Sequence, residues 1–515
     1  MGLYIAASKR ERLLAYKYSS TDKSLTSKYV LNPFWNKLVL LFPKTMAPNA
    51  ITLLGLSLIF VNFLTLLYFN PTLSCGPKPL HVSLGGTWDP LFPPSSRSAL
   101  PSSLANLFGW IKGKVATSDG GEGSCGPRWL YWTFAAGLFA YQSLDAIDGK
   151  QARRTGTSGP LGELFDHGCD AINTTLGALL AAAALNLGLS WWTVASLVAT
   201  NCNFYLSTWE EWHTGTLFLS AFSGPVEGIL LVVGIFIITG FKGEFTFRTS
   251  LGVYELTAIH TGPDFWDTGV LTLLGLSSSS SPLSSLPFHV RDLPLNDLFL
   301  VFSAIGLVFN IITATHNVYL SLPSSSSRTP LSLIRPLSRL SPWVVHTAAM
   351  LAWLHAKEPT LLRTPLFIPF AAAWGITFAH HVQLLILAHL TKSRFPAAWK
   401  HPLLLVSVLG AIDANAGTLF GVEGGSWIQK DDERVKHTVL VCFALAVIVY
   451  AHFVWEVVGD ICAFYDINCL TIKRKPAGST APADIARVHG ADKAVRAPEK
   501  AKGTKPTAYG VLKRE

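Results

Sequence analysis

Charge is what this chain has least of. Only 14% of its 515 residues are Asp, Glu, Lys or Arg, whereas 50% are hydrophobic and the mean hydropathy is +0.36. A soluble chain of this size carries charge on about a quarter of its residues. The apolar excess lies in runs long enough to cross a bilayer, which excludes a soluble protein with many core helices. Cysteine is sparse as well: there are seven, scattered, with no CxxC pair. That excludes a disulfide framework and a zinc site of paired cysteines. The opening stretch MGLYIAASKRERLLAYKY has no long apolar run, so no cleaved signal peptide is expected. The net charge is +9. Much of the excess lies in the two terminal regions, which points to membrane topology, with no nucleic-acid partner.

What is present, then, is an all-α polytopic membrane protein of about ten transmembrane helices. The predicted spans are 51–69, 129–147, the stretch just after Asp170 to Leu187, 191–208, 225–238, 298–318, 342–354, 366–390, 402–420 and 437–463. Residues 1–50 form an N-terminal segment, 51–465 a membrane domain, and 466–515 a basic tail expected to be disordered and to touch anionic lipid. Within the first segment, LNPFWNKLVLLF (31–42) reads either as an interfacial amphipathic helix or as a piece packed on the bundle. Two long loops, 70–128 and 241–296, are rich in Gly, Pro and Ser; the first holds a possible interfacial helix near 104–110, the second a serine run at 277–281. Basic residues in the N-terminal segment, the aspartate loop, the loops with Arg335 and Lys392, and the tail fall on one side. Both termini are therefore expected in the cytosol.

The chain is organised around DAIDGKQARRTGTSGPLGELFDHGCD, residues 145–170. Asp145 and Asp148 are three apart, and Asp166 and Asp170 four apart, so on helices each pair shares a face. Gly156, Gly159, Pro160 and Gly162 between them signal a bend joining two helices. Four converging carboxylates repel unless a cation joins them, and oxygen ligands suit Mg²⁺, Mn²⁺ or Ca²⁺. Asp145, Asp148 and Asp166 read as metal ligands, and Asp170 as a ligand of a second ion or a general base. Gly149, Ala152 and Gly162 leave room for a phosphate to approach. Arg153 has the donors to clamp a diphosphate. Arg154 does the same or meets lipid headgroups. Glu163 and His167 lie close by, His167 as a partner to the site or an alternative base. By pattern alone, a cation pathway through a transporter and a structural ion site remain alternatives.

The spacing D-x2-D-G-x2-A-R-x8-G-x3-D-x3-D is filled by Asp145, Asp148, Gly149, Ala152, Arg153, Gly162, Asp166 and Asp170 without departure. It resembles the signature of the CDP-alcohol phosphotransferases. A narrower similarity covers roughly residues 15–475 and extends to the eukaryotic choline/ethanolamine phosphotransferases. It is carried by the stretch from KYSSTDKSL to APNAITLLG, by WEEWHTGTLFLSAFSGPVEG and by DINCLTIKRK. The resemblance implies a family-like helical bundle and two Mg²⁺ (or Mn²⁺) ions held by the four aspartates. It also implies transfer of phosphocholine or phosphoethanolamine from CDP-choline or CDP-ethanolamine to diacylglycerol, with CMP released. Asn49 and Thr52 would help hold the nucleotide, and Glu211 and His213 would border the headgroup or acceptor, their bland reading being loop structure and capping. A homodimer in the endoplasmic reticulum or Golgi is implied too. The alternatives are another alcohol such as inositol, a divalent-cation transporter, or a scaffold without catalysis.

Overall fold

Proline and glycine set the helix ends. The computed structural model describes residues 4–16, 18–22, 24–73, 127–219, 225–241, 263–274, 292–322, 330–396 and 401–473. The expected helix near 104–110, the serine run at 277–281, most of both long loops and nearly all of the basic tail lie outside these residues.

The longer helices are α1 (Asn32–Leu38), α2 (Pro48–Phe69), α3 (Trp129–Thr155), α4 (Pro160–Ala184), α5 (Trp191–Thr214), α6 (Pro225–Gly240), α7 (Leu295–Ser321), α8 (Ser341–Ala356), α9 (Phe367–Leu390), α10 (Pro402–Ala414) and α11 (Asp432–Tyr465). Pro48, Pro160 and Pro402 each open a helix, where the missing N–H costs nothing. Helix α3 stops at Gly156, whose φ of +69° is the left-handed cap that glycine adopts without a Cβ penalty. A short turn then leads into α4, so the helices carrying the two aspartate pairs form one hairpin.

The expectation of about ten membrane spans is corrected. Among the described residues, four helices are long and apolar enough to cross a membrane: α2, α7, α9 and α11. Two more apolar helices are shorter, Val226–Gly240 and Pro402–Ala414. The reason is physical. A span needs about 20 mostly apolar residues, and α8 and α10 have 16 and 13. The other expected spans sit on α3, α4 and α5. These are long enough, but polar residues dilute their apolar runs: Gln142, Ser143 and Asp145 in α3, Asp170, Asn173 and Thr174 in α4, and Asn201, Asn203 and Thr208 in α5. The chain is largely helical and multi-pass.

A wide apolar core runs through α2, α3, α4, α6, α8 and α9, with Phe134, Leu179, Phe236, Trp353 and Phe370 fully enclosed. Helix α9 is the most enclosed of the four long apolar helices. It packs against α4 where two glycines leave room for side chains of the facing helix. A β-carbon on Gly168 would sit 1.7 Å from Gln383, and one on Gly375 2.5 Å from Thr175. A larger residue at Gly375 would press on the short Thr175 side chain, and one at Gly168 would have to displace the end of Gln383.

The segment 31–42 packs on the bundle on one side. Trp35 and Val39 are buried with Leu144 and Ile147, while Leu40 and Leu41 face outward. Further upstream, two three-residue strands, β1 (Ser20–Asp22) and β2 (Leu217–Leu219), pair in parallel, Ser20 opposite Leu217. This pairing ties the N-terminal segment to the end of α5. Arg10 bridges to Asp460 of α11 at 2.8 Å, and the Tyr465 hydroxyl donates to the Leu13 carbonyl at 2.7 Å. The N-terminal segment is thus laid across the ends of α4, α5 and α11.

Candidate active site

The hairpin brings the carboxylates together. Asp145 of α3 and Asp166 and Asp170 of α4 each place one oxygen within 4.8 Å of the others'. Asp148, one turn on from Asp145, stands beside them at the edge of the set and accepts from the Thr52 hydroxyl of α2 at 2.6 Å. Asp170 Oδ1 accepts from the buried Tyr141 hydroxyl at 2.5 Å. Asp145 Oδ1 and Asp166 Oδ1 are buried, and no other residue among those described donates a hydrogen bond to either. Such orphan anionic oxygens are costly unless a cation meets them. The donors here are all hard oxygens, so the residues fit one or two Mg²⁺ or Mn²⁺ ions.

Electrostatics agree. Burial pushes Asp148 up to about 7, with the hydrogen bonds from Thr52 and the Gly149 N–H opposing. Burial likewise raises Asp170 to about 6, against the bond from Tyr141. Asp166 is raised well above the usual carboxylate range by burial and by Asp145. The site holds more negative charge than its own residues neutralise.

The surrounding positions divide. Thr52 is in the site, while Asn49, one turn earlier on α2, donates to Cys469 Sγ at 3.6 Å. Gly162 faces open space, and a β-carbon on Gly149 would meet only the Arg153 guanidinium, at 3.6 Å. Ala152 lies on the same stretch of α3, its carbonyl taken by the Gly156 N–H. Arg153 is exposed and makes no hydrogen bond or ion pair among the described residues, so it is available to an incoming anion. Arg154 is not. It donates to the Val39 and Phe42 carbonyls at 2.9 and 2.7 Å, and so braces the N-terminal helix rather than meeting lipid headgroups. Gln151 joins it, donating to the Pro43 and Met46 carbonyls. Burial lowers His167 to about 4, and its Nδ1 has no hydrogen-bond partner among the described residues.

Glu211 and His213 do not join the aspartates' oxygen set. Glu211 lies beside Glu163 of α4 and His389 of α9. Glu163 accepts from the Tyr16 hydroxyl at 2.6 Å. Burial raises Glu163, and raises Glu211 to about 8 with Glu163 adding to the effect. His213 packs edge-on against Trp209 and Trp212, with ring centroids 5.2 and 4.9 Å away.

Sequence reasoning missed Tyr141, Tyr16 and His389. Tyr141 had a local signal, since it precedes Asp145 by four and shares its helix face. Tyr16 and His389 had none, because their neighbours are far away in the chain.

Residues 113–259, which include the hairpin, match the family model described as CDP-alcohol phosphatidyltransferase. Over 463 residues the chain is 34% identical to an uncharacterised CDP-alcohol phosphatidyltransferase class-I family protein of Schizosaccharomyces pombe, covering 90% of this chain and 95% of that one. The chain belongs to the CDP-alcohol phosphatidyltransferase family, whose members transfer a phosphoalcohol group. Among its relatives in Saccharomyces cerevisiae are choline/ethanolaminephosphotransferase 1, 32% identical over 92% of this chain and 99% of the relative, and cholinephosphotransferase 1, 33% identical over the same shares.

Proposed function

We propose that the protein transfers phosphocholine or phosphoethanolamine from the CDP-alcohol to the hydroxyl of diacylglycerol, giving the phospholipid and CMP. The observation that carries this is the meeting of Asp145, Asp166 and Asp170 with two unpartnered carboxylate oxygens at one hairpin. The names of the yeast relatives support the choice of alcohol.

Asp145, Asp148, Asp166 and Asp170 would hold two Mg²⁺ or Mn²⁺ ions. When bound, these supply Lewis-acid stabilisation of the diphosphate charge. Tyr141 fixes Asp170 and Thr52 fixes Asp148, so the ligand oxygens are oriented in advance. Arg153 clamps the diphosphate and holds charge on the departing CMP. Gly149, Ala152 and Gly162 leave the face clear for the nucleotide, and Asn49 and Thr52 border it. Asp170 takes the proton of the glycerol hydroxyl. A second reading of that step gives the proton to His167. It is favoured by the buried, unpartnered Nδ1 and by the Tyr141 bond that already occupies Asp170. A homodimer in the endoplasmic reticulum or Golgi, with both termini in the cytosol, completes the reading.

The test is CMP release by purified protein in detergent with diacylglycerol and Mg²⁺ or Mn²⁺, across CDP-choline, CDP-ethanolamine and donors bearing other alcohols. Release with either of the first two is expected; no release from any donor would remove the reading. Asp170→Asn should abolish turnover while nucleotide binding persists. Near-normal turnover would move the base to His167, and His167→Gln would then be the variant that loses turnover.

A further inference from the structure

About one helical turn before Asp166, a second charged cluster gathers from three helices. Glu163 of α4, Glu211 near the end of α5 and His389 near the end of α9 each offer a ligand atom, all within 4.8 Å of one another. Glu163 is 7% exposed and Glu211 3%. Tyr16 occupies one oxygen of Glu163; among the described residues Oε1 of Glu163 has no hydrogen-bond partner, and Oε2 of Glu211 has none either. Among the described residues, no lysine or arginine forms an ion pair with either carboxylate. Two buried carboxylates side by side are stable only when a proton or a cation offsets their charge.

The donor set selects among cations. Two carboxylates balance the charge of one divalent ion. An imidazole nitrogen among the donors disfavours Mg²⁺ and Ca²⁺, which take oxygen, and favours Zn²⁺ or Mn²⁺. Donors about 2.1 Å from a tetrahedral ion stand roughly 3.4 Å apart. Small side-chain rotations reach that from the observed spacing.

We propose that Glu163, Glu211 and His389 hold a divalent transition-metal ion, zinc foremost, separate from the aspartate centre. The ion clamps α4, α5 and α9 together at the place where Tyr16 fastens the N-terminal segment. Helix α4 contributes to both sets, but Glu211 of α5 and His389 of α9 belong to this one alone, so the three ligands persist in a chain whose aspartate set has been removed. The inference goes beyond the proposed reaction and does not depend on which alcohol is transferred.

The test uses the full chain in detergent, stripped with a chelator, freed of it and titrated with Zn²⁺ in the absence of any CDP-alcohol. Bound zinc is counted by mass spectrometry of the metal, and the melting temperature is followed. In an Asp145→Asn, Asp166→Asn background, one zinc per chain should remain, with a rise in Tm on loading. Adding Glu211→Gln should remove that zinc and the rise. His389→Gln, which leaves the charge balance intact, should weaken zinc binding at least tenfold and covers the case in which Glu211→Gln does not fold. Unchanged zinc content after Glu211→Gln, or unchanged affinity after His389→Gln, overturns the proposal. Loss of CMP release bears only on the proposed function, since the zinc count needs no turnover.

Discussion

At the α3–α4 hairpin, carboxylates meet; between α8, α9 and the start of α10, imidazoles do. His346, His380 and His381 are at most 1% exposed. The rings of His346 and His381 are 5.0 Å apart, and those of His381 and His401 4.3 Å. None of the ring nitrogens of His346, His380 or His381 has a hydrogen-bond partner among the described residues. Both regions bury polar atoms, but the cost differs in kind. A neutral imidazole left unpaired forfeits about 1–3 kcal/mol, and a folded bundle can carry that. A buried anionic carboxylate left alone costs several times more, so it must be protonated or meet a cation. Burying polar atoms is therefore not by itself the mark of a cation site here; burying uncompensated negative charge is.

Four measurements would break or sharpen this contrast. Asp166→Asn removes the charge of a buried carboxylate whose Oδ1 no other described residue satisfies. CMP release should fall by about 10² to 10³-fold, the size seen when a group stabilising transition-state charge is lost. Chelation should have a comparable effect on the unaltered chain, restored by Mg²⁺ or Mn²⁺, and the same ions should raise Tm. In the Asp145→Asn, Asp166→Asn chain, Mg²⁺ should lose that effect on Tm. Thr52→Val deletes the bond to Asp148, worth about 1–1.5 kcal/mol, so kcat/KM should drop about tenfold while the fold holds. His381→Leu, in the neutral cluster, should change CMP release by no more than about twofold and leave Tm equal or slightly higher. A loss like that of Asp166→Asn would erase the distinction between the two regions.

The site was more legible in the sequence than the membrane architecture. Asp145, Asp148, Asp166 and Asp170 could be read from i, i+3 and i, i+4 spacing around a glycine–proline bend, because helix faces are a local property. The role of Arg154 was not legible. Which of two adjacent arginines stays exposed and which reaches the Val39 carbonyl depends on where the N-terminal segment docks. The span count failed because apolar runs on α8 and α10 look like crossings until their helices prove short, and those on α3, α4 and α5 are diluted by Gln, Ser, Thr and Asn.

The order of residues by itself determined a helical hairpin with acidic faces, its capping glycine and proline, and the family to which the chain belongs. Each of these rests on neighbours within a few turns of one helix or on direct residue matching. Only the tertiary structure decided that Tyr141 holds Asp170, that Thr52 holds Asp148, and that Tyr16, Glu163, Glu211 and His389 come together from four separate stretches. Those pairings follow from how close α4 and α9 can pack and from where the first strand docks. Such packing is settled by the whole bundle, and no local pattern carries it.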